Sequence, residues 1–216
     1  MKFQAQRQHV VELCLELSRR GYFAGTGGNI MLRLDAAHVA VTPSALDYHA
    51  MGAADVCVLR LQDLATVDGE RAPSVESGLH AQLLRARPDM GCSIHTHQPV
   101  ASACALLGRE LAVPPALRAS LGDAVRIAGY APSGSGLLAA RLARTLRPGG
   151  NAYLMRNHGI LCCGRDSAAA MQAVDDLETL ARGLLAARIA ARAAAEPGAA
   201  PALQRVSELL TQPPHP

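Results

Sequence analysis

Aromatic residues are scarce in this chain of 216 residues, which contains no Trp, two Phe and four Tyr. Half of the residues are nevertheless hydrophobic. The core must therefore consist mainly of Ala, Leu, Val and Ile, a composition that suits helix-rich packing. This apolar content excludes a largely disordered chain. The length predicts one domain over 1–196, followed by a short helix and a Pro-rich tail over 197–216.

Long apolar runs and basic clusters are also missing. No stretch of 18 uncharged apolar residues occurs, so we expect no membrane span. The amphipathic N-terminal segment lacks the continuous apolar core of a signal peptide. The net charge is +3, and no basic run alternates with aromatics as a nucleic-acid surface would require. We therefore expect a cytoplasmic protein with a small-molecule substrate and no membrane or nucleic-acid partner.

The cysteines do not form a C-x-x-C motif. The six are Cys14, Cys57, Cys92, Cys104, Cys162 and Cys163. The adjacent pair at 162 and 163 is poorly suited to a disulfide, and most of the six lie in apolar runs, where Cys acts as a small hydrophobic residue. This usage is typical of a reduced protein rather than of a disulfide-stabilised one.

Hydrophobic periodicity predicts a mixed α/β fold. Helices are expected from Gln4 to Arg20, from Ser74, as the N-cap, to the residue before Pro88, and from Ser167 to about Ala195. Short apolar runs separated by turn residues predict antiparallel strands, the first three at 30–34, 38–42 and 56–61. The pattern favours one sheet with helices packed on its faces.

Three histidines occupy positions in a predicted strand or a tight turn, where the backbone fixes the direction of the side chain. His95 and His97 are two residues apart in a predicted strand, so they project from one face and supply half of a zinc-type site. Taken alone, such a pair also fits a surface or packing role. His158 lies in a tight turn between two apolar runs, where it either points into a site or only bonds its own backbone.

A carboxylate, Glu76, falls in the first turn of a predicted helix, where the helix dipole favours a negative charge. His80 follows four residues later on the same helix face, and we favour a structural role for it. Three histidines and one glutamate form a workable ligand set for a divalent transition metal, and the carboxylate can also act as a base. A base role requires a raised pKa, which burial beside Val75 is expected to favour.

Two loops are candidates for binding the anionic end of a substrate. Gly27, Gly28 and Asn29 form a glycine-rich turn, and Thr42 to Ser44 supply hydroxyl groups and backbone N–H groups. A mere sharp turn is the alternative interpretation of the two glycines.

Five short motifs occur in a fixed order: T-G-G-N at 26–29, T-P-S at 42–44, P-S-x-E at 73–76, H-T-H at 95–97 and N-H-G at 157–159. Together they resemble the class II aldolase/adducin family, from about residue 5 to residue 190. The resemblance implies a three-layer α/β/α fold around a mainly antiparallel sheet. It also implies a homotetramer with active sites at the subunit interfaces.

The resemblance carries roles to individual positions. It implies that His95, His97 and His158 bind the metal and that Glu76 serves both as a ligand and as the catalytic acid/base. Zinc is the metal implied, with Mn²⁺ or Co²⁺ as alternatives. The family's anion-binding positions correspond to Gly28, Asn29, Thr42, Ser44 and Ser74.

The chain departs from the family pattern in its anion-binding loops. Met31, Ala45 and Val75 stand where the aldolases usually have Ser, Gly and Ser. These changes predict a weaker phosphate cradle and favour a carboxylate or neutral substrate. Arg118 is a candidate for holding a substrate carboxylate.

The tyrosine that the family's aldolases take from a neighbouring subunit has no counterpart over 116–119. Tyr48 and Tyr130 remain candidates, and a structural role is favoured for each.

The sequence therefore predicts a metal-dependent carbon–carbon lyase, of aldolase or decarboxylase type. It would act through an enediolate on a small hydroxy-carbonyl substrate that need not be phosphorylated. A sugar-phosphate dehydratase or epimerase is the first alternative, although the absence of Tyr after residue 153 counts against epimerisation. A non-catalytic, adducin-like binding module is the second. The complete ligand set favours an enzyme, because a scaffold has no need of it.

Overall fold

A computed structural model of the protein describes residues 1–23 and 26–211. The strands in this part of the chain are β1 (Asn29–Arg33), β2 (His38–Val41), β3 (Cys57–Arg60), β4 (Thr66–Asp68), β5 (Cys92–Thr96), β6 (Leu111–Ala112), β7 (Ala124–Ala128), β8 (Ala152–Met155) and β9 (Gly159–Gly164). The helices are α1 (Gln4–Arg19), α2 (Ser77–Ala86), α3 (Pro99–Cys104), α4 (Arg118–Leu121), α5 (Gly136–Thr145), α6 (Ser167–Ala195) and α7 (Ala200–Thr211).

The strands form one sheet in the order β4-β3-β2-β1-β5-β9-β8-β7-β6. Neighbouring strands are antiparallel except for β7 and β8, which run parallel. This confirms the predicted mainly antiparallel sheet. Its central strands β1, β5 and β9 bring segments distant in sequence side by side, and the candidate site lies at one end of them.

Both faces of the sheet are buried, which explains why β8 and β9 consist of continuous apolar runs. In β9, Ile160 and Cys162 pack into a core with residues of α1, α3 and α6. Leu161 and Cys163 face the opposite way and pack with residues of α2 and α5. The chain therefore has the three-layer α/β/α arrangement that was predicted.

The predicted and observed bounds of the helices agree best where the hydrophobic periodicity extends over many residues. Helix α6 has the predicted bounds, and the Asp166 side chain caps its start by accepting a hydrogen bond of 2.8 Å from the N–H of Ala169. The predicted N-cap at Ser74 is wrong, because α2 begins at Ser77 and Glu76 occupies the N-cap position. Ser74 Oγ instead accepts a hydrogen bond of 3.2 Å from the N–H of Glu76.

Helix α7 packs against α6 and corresponds to the predicted C-terminal helix. The Pro-rich tail beyond residue 211 lies outside the described residues, as does Gly25, which directly precedes the T-G-G-N motif. Among the described helices, none is both long and apolar enough to cross a bilayer. All six cysteines are buried and unpaired.

Candidate metal centre

The strand pairing at the centre of the sheet brings the three histidines together. His95 is the penultimate residue of β5, and His97 follows the end of that strand. Strand β5 pairs with β9, and the turn that carries His158 leads directly into β9. This turn is tight, with Asn157 in the left-handed conformation at a φ of 54° and the N–H of His158 bonded to the carbonyl of Met155.

The three imidazoles form a compact cluster. One ring nitrogen of each lies within 4.8 Å of the other two. The Nε2 atoms of His95 and His158 are 3.1 Å apart. The ring centroid of His97 lies 4.7 Å from that of His95 and 5.4 Å from that of His158. The sequence prediction that these side chains share one site therefore agrees with the geometry.

Glycine is needed at position 159 because two imidazoles lie over its α-carbon. A Cβ placed there would be 2.6 Å from Cδ2 of His97 and 3.0 Å from Cε1 of His95. The same Cβ would also be 2.6 Å from the carbonyl oxygen of Thr96. The last residue of the N-H-G motif thus allows the β8–β9 turn to approach β5 closely enough for His158 to join the cluster.

Glu76 completes the cluster from the segment that precedes α2. Its Oε1 lies 3.0 Å from Nε2 of His158, and its Oε2 lies 3.3 Å from Nε2 of His95. Only 6% of the residue is exposed. One carboxylate and three imidazoles therefore converge at the end of the sheet, as the sequence pattern predicted.

The protonation states suit a cation between these groups. Burial lowers the pKa of His95 to about 3, against the opposing charge of Glu76, and burial and the neighbouring His158 lower the pKa of His97. Nδ1 of His95 donates a hydrogen bond of 2.7 Å to the carbonyl of Ile160, so the free lone pair of Nε2 points into the cluster. A neutral imidazole held in this way is the form that binds a metal, and the donor set fits a divalent transition metal.

The pKa of Glu76 does not follow the sequence prediction. Burial does raise it, but the hydrogen bond with His158, the charge of His95 and the hydrogen bond from Asn29 together outweigh burial and hold the pKa well below its ordinary value. Val75 contributes little to the burial, because 69% of that residue is exposed. The carboxylate is therefore ionised, as a metal ligand must be.

Two hydrogen-bond donors fix the carboxylate of Glu76 in addition to the histidines. Nδ2 of Asn29 donates to Oε2 at 2.8 Å, and Oγ of Ser133 donates to Oε1 at 2.9 Å. Sequence reasoning missed Ser133. Ser133 lies in the P-S-G-S segment between β7 and α5. This segment matches no motif, and the strand order that places Ser133 beside Glu76 cannot be predicted from it.

Backbone hydrogen bonds join the predicted anion-binding segments to one another, and Ser74 lies two residues before Glu76. The N–H of Ser74 donates to the carbonyl of Thr42 at 3.0 Å, and the N–H of Ser44 donates to the carbonyl of Ala72 at 2.9 Å. The Thr42 hydroxyl accepts from the N–H of Ile30 at 3.3 Å. The segment at 42–44 is therefore paired with the segment at 72–74, which directly precedes Glu76.

The glycine-rich turn is in contact with two aromatic side chains, Phe23 and Tyr48. Gly28 has a φ of +96°, and a Cβ there would be 2.4 Å from the Phe23 ring. The hydroxyl of Tyr48 donates a hydrogen bond of 2.5 Å to the Gly28 carbonyl. Tyr48 is buried, and its ring packs against that of Phe23 at a tilted angle, which supports the structural role that the sequence favoured.

Two other candidates have no contact with the cluster. Arg118 begins α4, and its Nε donates to the carbonyl of Val113 at 3.4 Å. Tyr130 is exposed, and its carbonyl accepts a hydrogen bond from Arg141. Within residues 1–23 and 26–211, no hydrogen bond or ion pair links Arg118 or Tyr130 to the histidines or to Glu76.

The departures from the family pattern differ in their consequences. Met31 is fully buried and packs into the core beneath α2 and α5, so its side chain does not face an anion-binding loop. Ala45 has a φ of 54°, so it keeps the left-handed conformation for which Gly is preferred. Val75 is exposed at the surface, and a Cβ placed at Gly134 would lie 3.0 Å from its Cγ2.

A three-layer α/β/α fold with imidazoles and one carboxylate converging at the end of its sheet defines a candidate metalloenzyme. The chain matches the model of the Class II Aldolase and Adducin N-terminal domain over residues 8–185, and it belongs to this family.

Several enzymes of known activity resemble the chain. The 5-deoxy-D-ribulose 1-phosphate aldolase of Bacillus thuringiensis serovar kurstaki is 33% identical over 84% of this chain and 85% of its own. The methylthioribulose-1-phosphate dehydratase of Sodalis glossinidius is 30% identical over 81% of this chain and 93% of its own. The solved structure of an L-fuculose 1-phosphate aldolase superposes with a TM-score of 0.78 at 30% identity, covering 84% of this chain and 85% of its own. These relatives are lyases.

Proposed function

We propose that this protein is a metal-dependent lyase that cleaves a carbon–carbon bond of a small, phosphorylated hydroxy-ketone by a retro-aldol reaction. The observation that carries the proposal is the convergence of three imidazoles on the ionised carboxylate of Glu76. A scaffold protein has no need to keep the buried carboxylate of Glu76 against these imidazoles, because an uncompensated buried charge costs stability.

His95, His97 and His158 would hold the metal, and Glu76 would be the fourth ligand when no substrate is bound. Zinc is the ion we expect, and Mn²⁺ or Co²⁺ would suit the same donors. When bound, a divalent ion there would act as a Lewis acid and stabilise negative charge on the substrate's oxygen atoms. The remaining steps depend on the protein's own residues.

Glu76 is placed to move the proton. In a 3,4-dihydroxy-2-ketone the bond between C3 and C4 breaks, and its electron pair remains on the C1–C3 fragment as an enediolate. The C4 hydroxyl loses its proton and becomes the aldehyde carbonyl, while C3 gains a proton. One carboxylate that accepts the first proton and donates it to C3 balances the reaction. Oε1 of Glu76, beside the part-buried Ser133, is the oxygen we assign to this step.

A phosphate on the substrate is supported by the loops and by the relatives. The similar aldolases and dehydratases are named for ketose 1-phosphates. Met31 is buried in the core and Ala45 keeps a glycine-like conformation, so two of the three sequence departures leave the anion-binding loops intact. Gly28, Thr42, Ser44 and Ser74 are the residues that we assign to the phosphate, whereas the Asn29 side chain is already bonded to Glu76.

Dehydration is the second candidate, because relatives of similar identity are named as dehydratases. It passes through a different enediolate, one that keeps the whole carbon chain. Glu76 would take the proton from C3 to form it, and this proton would leave with the C4 hydroxyl as water, so that no carbon–carbon bond breaks. The site as described serves either reaction, and only product analysis separates them.

The test is turnover of 5-deoxy-D-ribulose 1-phosphate and methylthioribulose 1-phosphate by zinc-loaded protein. Retro-aldol cleavage releases a three-carbon ketone phosphate and an aldehyde, whereas dehydration gives a single diketone product. The dephosphorylated ketoses and Glu76→Gln serve as controls. Absence of both products from folded, metal-loaded protein would contradict the proposal and favour a binding module.

Two further parts of the proposal concern the state of the protein. We expect a homotetramer with interfacial active sites, which light scattering of the purified protein measures. A cytoplasmic location is supported by six buried, unpaired cysteines, because structural disulfides are rare in that reducing compartment.

A further inference from the structure

We infer that His80 is a positioning residue that orients Glu76 through the side chain of Asn29. Neither the ligand set nor the anion-binding loops include His80. The inference rests on the proposed function for its kinetic consequence, but the hydrogen bonds on which it depends can be measured without any activity.

The contacts form an unbroken buried chain. His80 lies on α2 and is fully buried between this helix and the sheet. Its Nε2 is 2.6 Å from Oδ1 of Asn29 on β1, and its Nδ1 is 2.8 Å from Oγ of Ser93 on β5. Nδ2 of Asn29 continues the chain to Oε2 of Glu76 at 2.8 Å.

The direction of each hydrogen bond follows from the chemistry of the groups. A carboxylate only accepts, so the Asn29 amide must turn its NH₂ group toward Glu76 and its oxygen toward His80. Nε2 of His80 must then carry the proton. A neutral imidazole has one N–H, so Nδ1 accepts from the hydroxyl of Ser93. Burial lowers the pKa of His80 to about 4, which keeps the ring neutral.

This directionality gives His80 a function that simple packing does not require. If the Asn29 amide rotated by half a turn, its oxygen would face the carboxylate of Glu76, and its NH₂ group would face the N–H of His80. Both contacts would be repulsive. Only 7% of Asn29 is exposed and Ser93 is fully buried, so solvent has little access to substitute for a lost partner. With its proton on Nε2, His80 therefore reinforces the amide orientation that Glu76 requires and holds Asn29 in place against Oε2 of Glu76.

When Oε2 of Glu76 is held in place, Oε1 is the oxygen that remains available for proton transfer. Oε2 is bound by Asn29 deep in the protein, whereas Oε1 contacts Ser133 and His158 on the more open side. A carboxylate that is free to rotate would reach its proton-transfer geometry in a smaller fraction of the molecules. The loss of His80 is therefore expected to reduce kcat more than it changes KM.

Two amide variants separate this role from packing. In His80→Gln, the side-chain amide nitrogen takes the place of Nε2, so a donor to Asn29 remains. In His80→Asn, the shorter amide reaches only the place of Nδ1, so contact with Ser93 is kept and the donor to Asn29 is lost. We expect kcat to fall by about tenfold or more in His80→Asn, with KM changed by less than about threefold. His80→Gln should restore most of kcat, and both variants should keep the wild-type metal content.

The hydrogen bonds are tested directly by ¹⁵N NMR of the imidazole in the wild-type protein. We expect His80 to carry its proton on Nε2, with slow exchange, and to lose this signature in Asn29→Ala. A proton on Nδ1, or equal kcat values for the two amide variants, would overturn the inference. Because the NMR measurement needs no turnover, it also decides the matter if His80→Asn does not fold.

The two proposals fail in different ways. If the wild-type protein turns over neither ketose phosphate, the proposed function is wrong, while the NMR result still decides the hydrogen bonding of His80. If the wild-type protein is active and His80→Asn retains full kcat, the positioning role is wrong and the proposed function stands.

Discussion

Ser133 Oγ donates a hydrogen bond of 2.9 Å to Oε1 of Glu76, although the two residues are 57 positions apart. The loop that carries Ser133 is fixed on both sides of this contact. Gly134 lies against Val75, and Ser135 caps α5 by accepting a hydrogen bond from the N–H of Leu138. A loop with no recognised motif thus provides a partner for the carboxylate that we assign to proton transfer.

Removing this hydroxyl should weaken catalysis. Ser133→Ala leaves Oε1 of Glu76 without its donor on the open side, and we expect kcat/KM to fall by roughly tenfold, which corresponds to about 1.4 kcal/mol. Steady-state kinetics with a ketose 1-phosphate measures the change. The matched control is Ser135→Ala, which removes the cap of α5 but no partner of Glu76. The control should lower the free energy of unfolding by about 1 kcal/mol and leave kcat unchanged.

The proposed metal site predicts a specific loss of metal in His158→Ala. One of three imidazole donors disappears, so we expect elemental analysis to find one divalent ion per chain in the wild type and much less than one in the variant. His38→Ala is the control, because the ring of His38 bonds to Asp35 rather than to the cluster. Equal metal content in wild type and His158→Ala would remove the assignment of this residue as a ligand.

Glu76→Gln should keep the fold and abolish turnover. An amide cannot take up and release the proton, and general acid–base catalysis typically contributes 10²- to 10⁴-fold, so we expect kcat to fall by at least about 100-fold. Circular dichroism and thermal unfolding check that the fold is intact. Activity near that of the wild type would exclude the proton-transfer role of Glu76.

Val75→Ser restores a hydroxyl at the surface position beside Glu76. If the anion-binding loops hold a phosphate, we expect the affinity for a phosphorylated ketose to rise by about tenfold, because a hydrogen bond to a charged group contributes about 1.5–3 kcal/mol. Calorimetric titration with the phosphorylated and dephosphorylated ligands measures the difference. Leu137→Ser provides a similarly exposed apolar control on α5. No gain in Val75→Ser would place the phosphate elsewhere or exclude it.

The cysteines should be unreactive in the native protein. Burial raises the pKa of each thiol, to about 11 for Cys104 and to about 12 for Cys163. At pH 8 almost no thiolate forms at these groups, and the thiolate is the reactive species. We expect a colorimetric thiol reagent to titrate none of the six until denaturant is added, and all six thereafter. Rapid modification without denaturant would show that the core opens readily.

Much of the fold, and the common face of His95 and His97, was predictable because the signals are local. Long amphipathic periodicity defined the bounds of α6, and strand alternation placed His95 and His97 on one face. Strands as short as β4 and β6 carry too few residues for a periodic signal. The start of α2 was misjudged because Ser74, a good capping residue, bonds the N–H of Glu76 before the helix begins.

The sequence by itself indicated the family through five motifs in a fixed order, and this resemblance implied the three-layer architecture and the four groups of the candidate metal centre. Local spacing alone predicted only that His95 and His97 share one face of a strand. Only the tertiary structure decided what surrounds Glu76. His80 and Asn29 are 51 residues apart, and their contact depends on how α2 packs over β1 and β5. The ionised state of the carboxylate has the same origin, because its pKa reflects partners that folding brings within hydrogen-bond distance and not the apolar residue beside it in the chain.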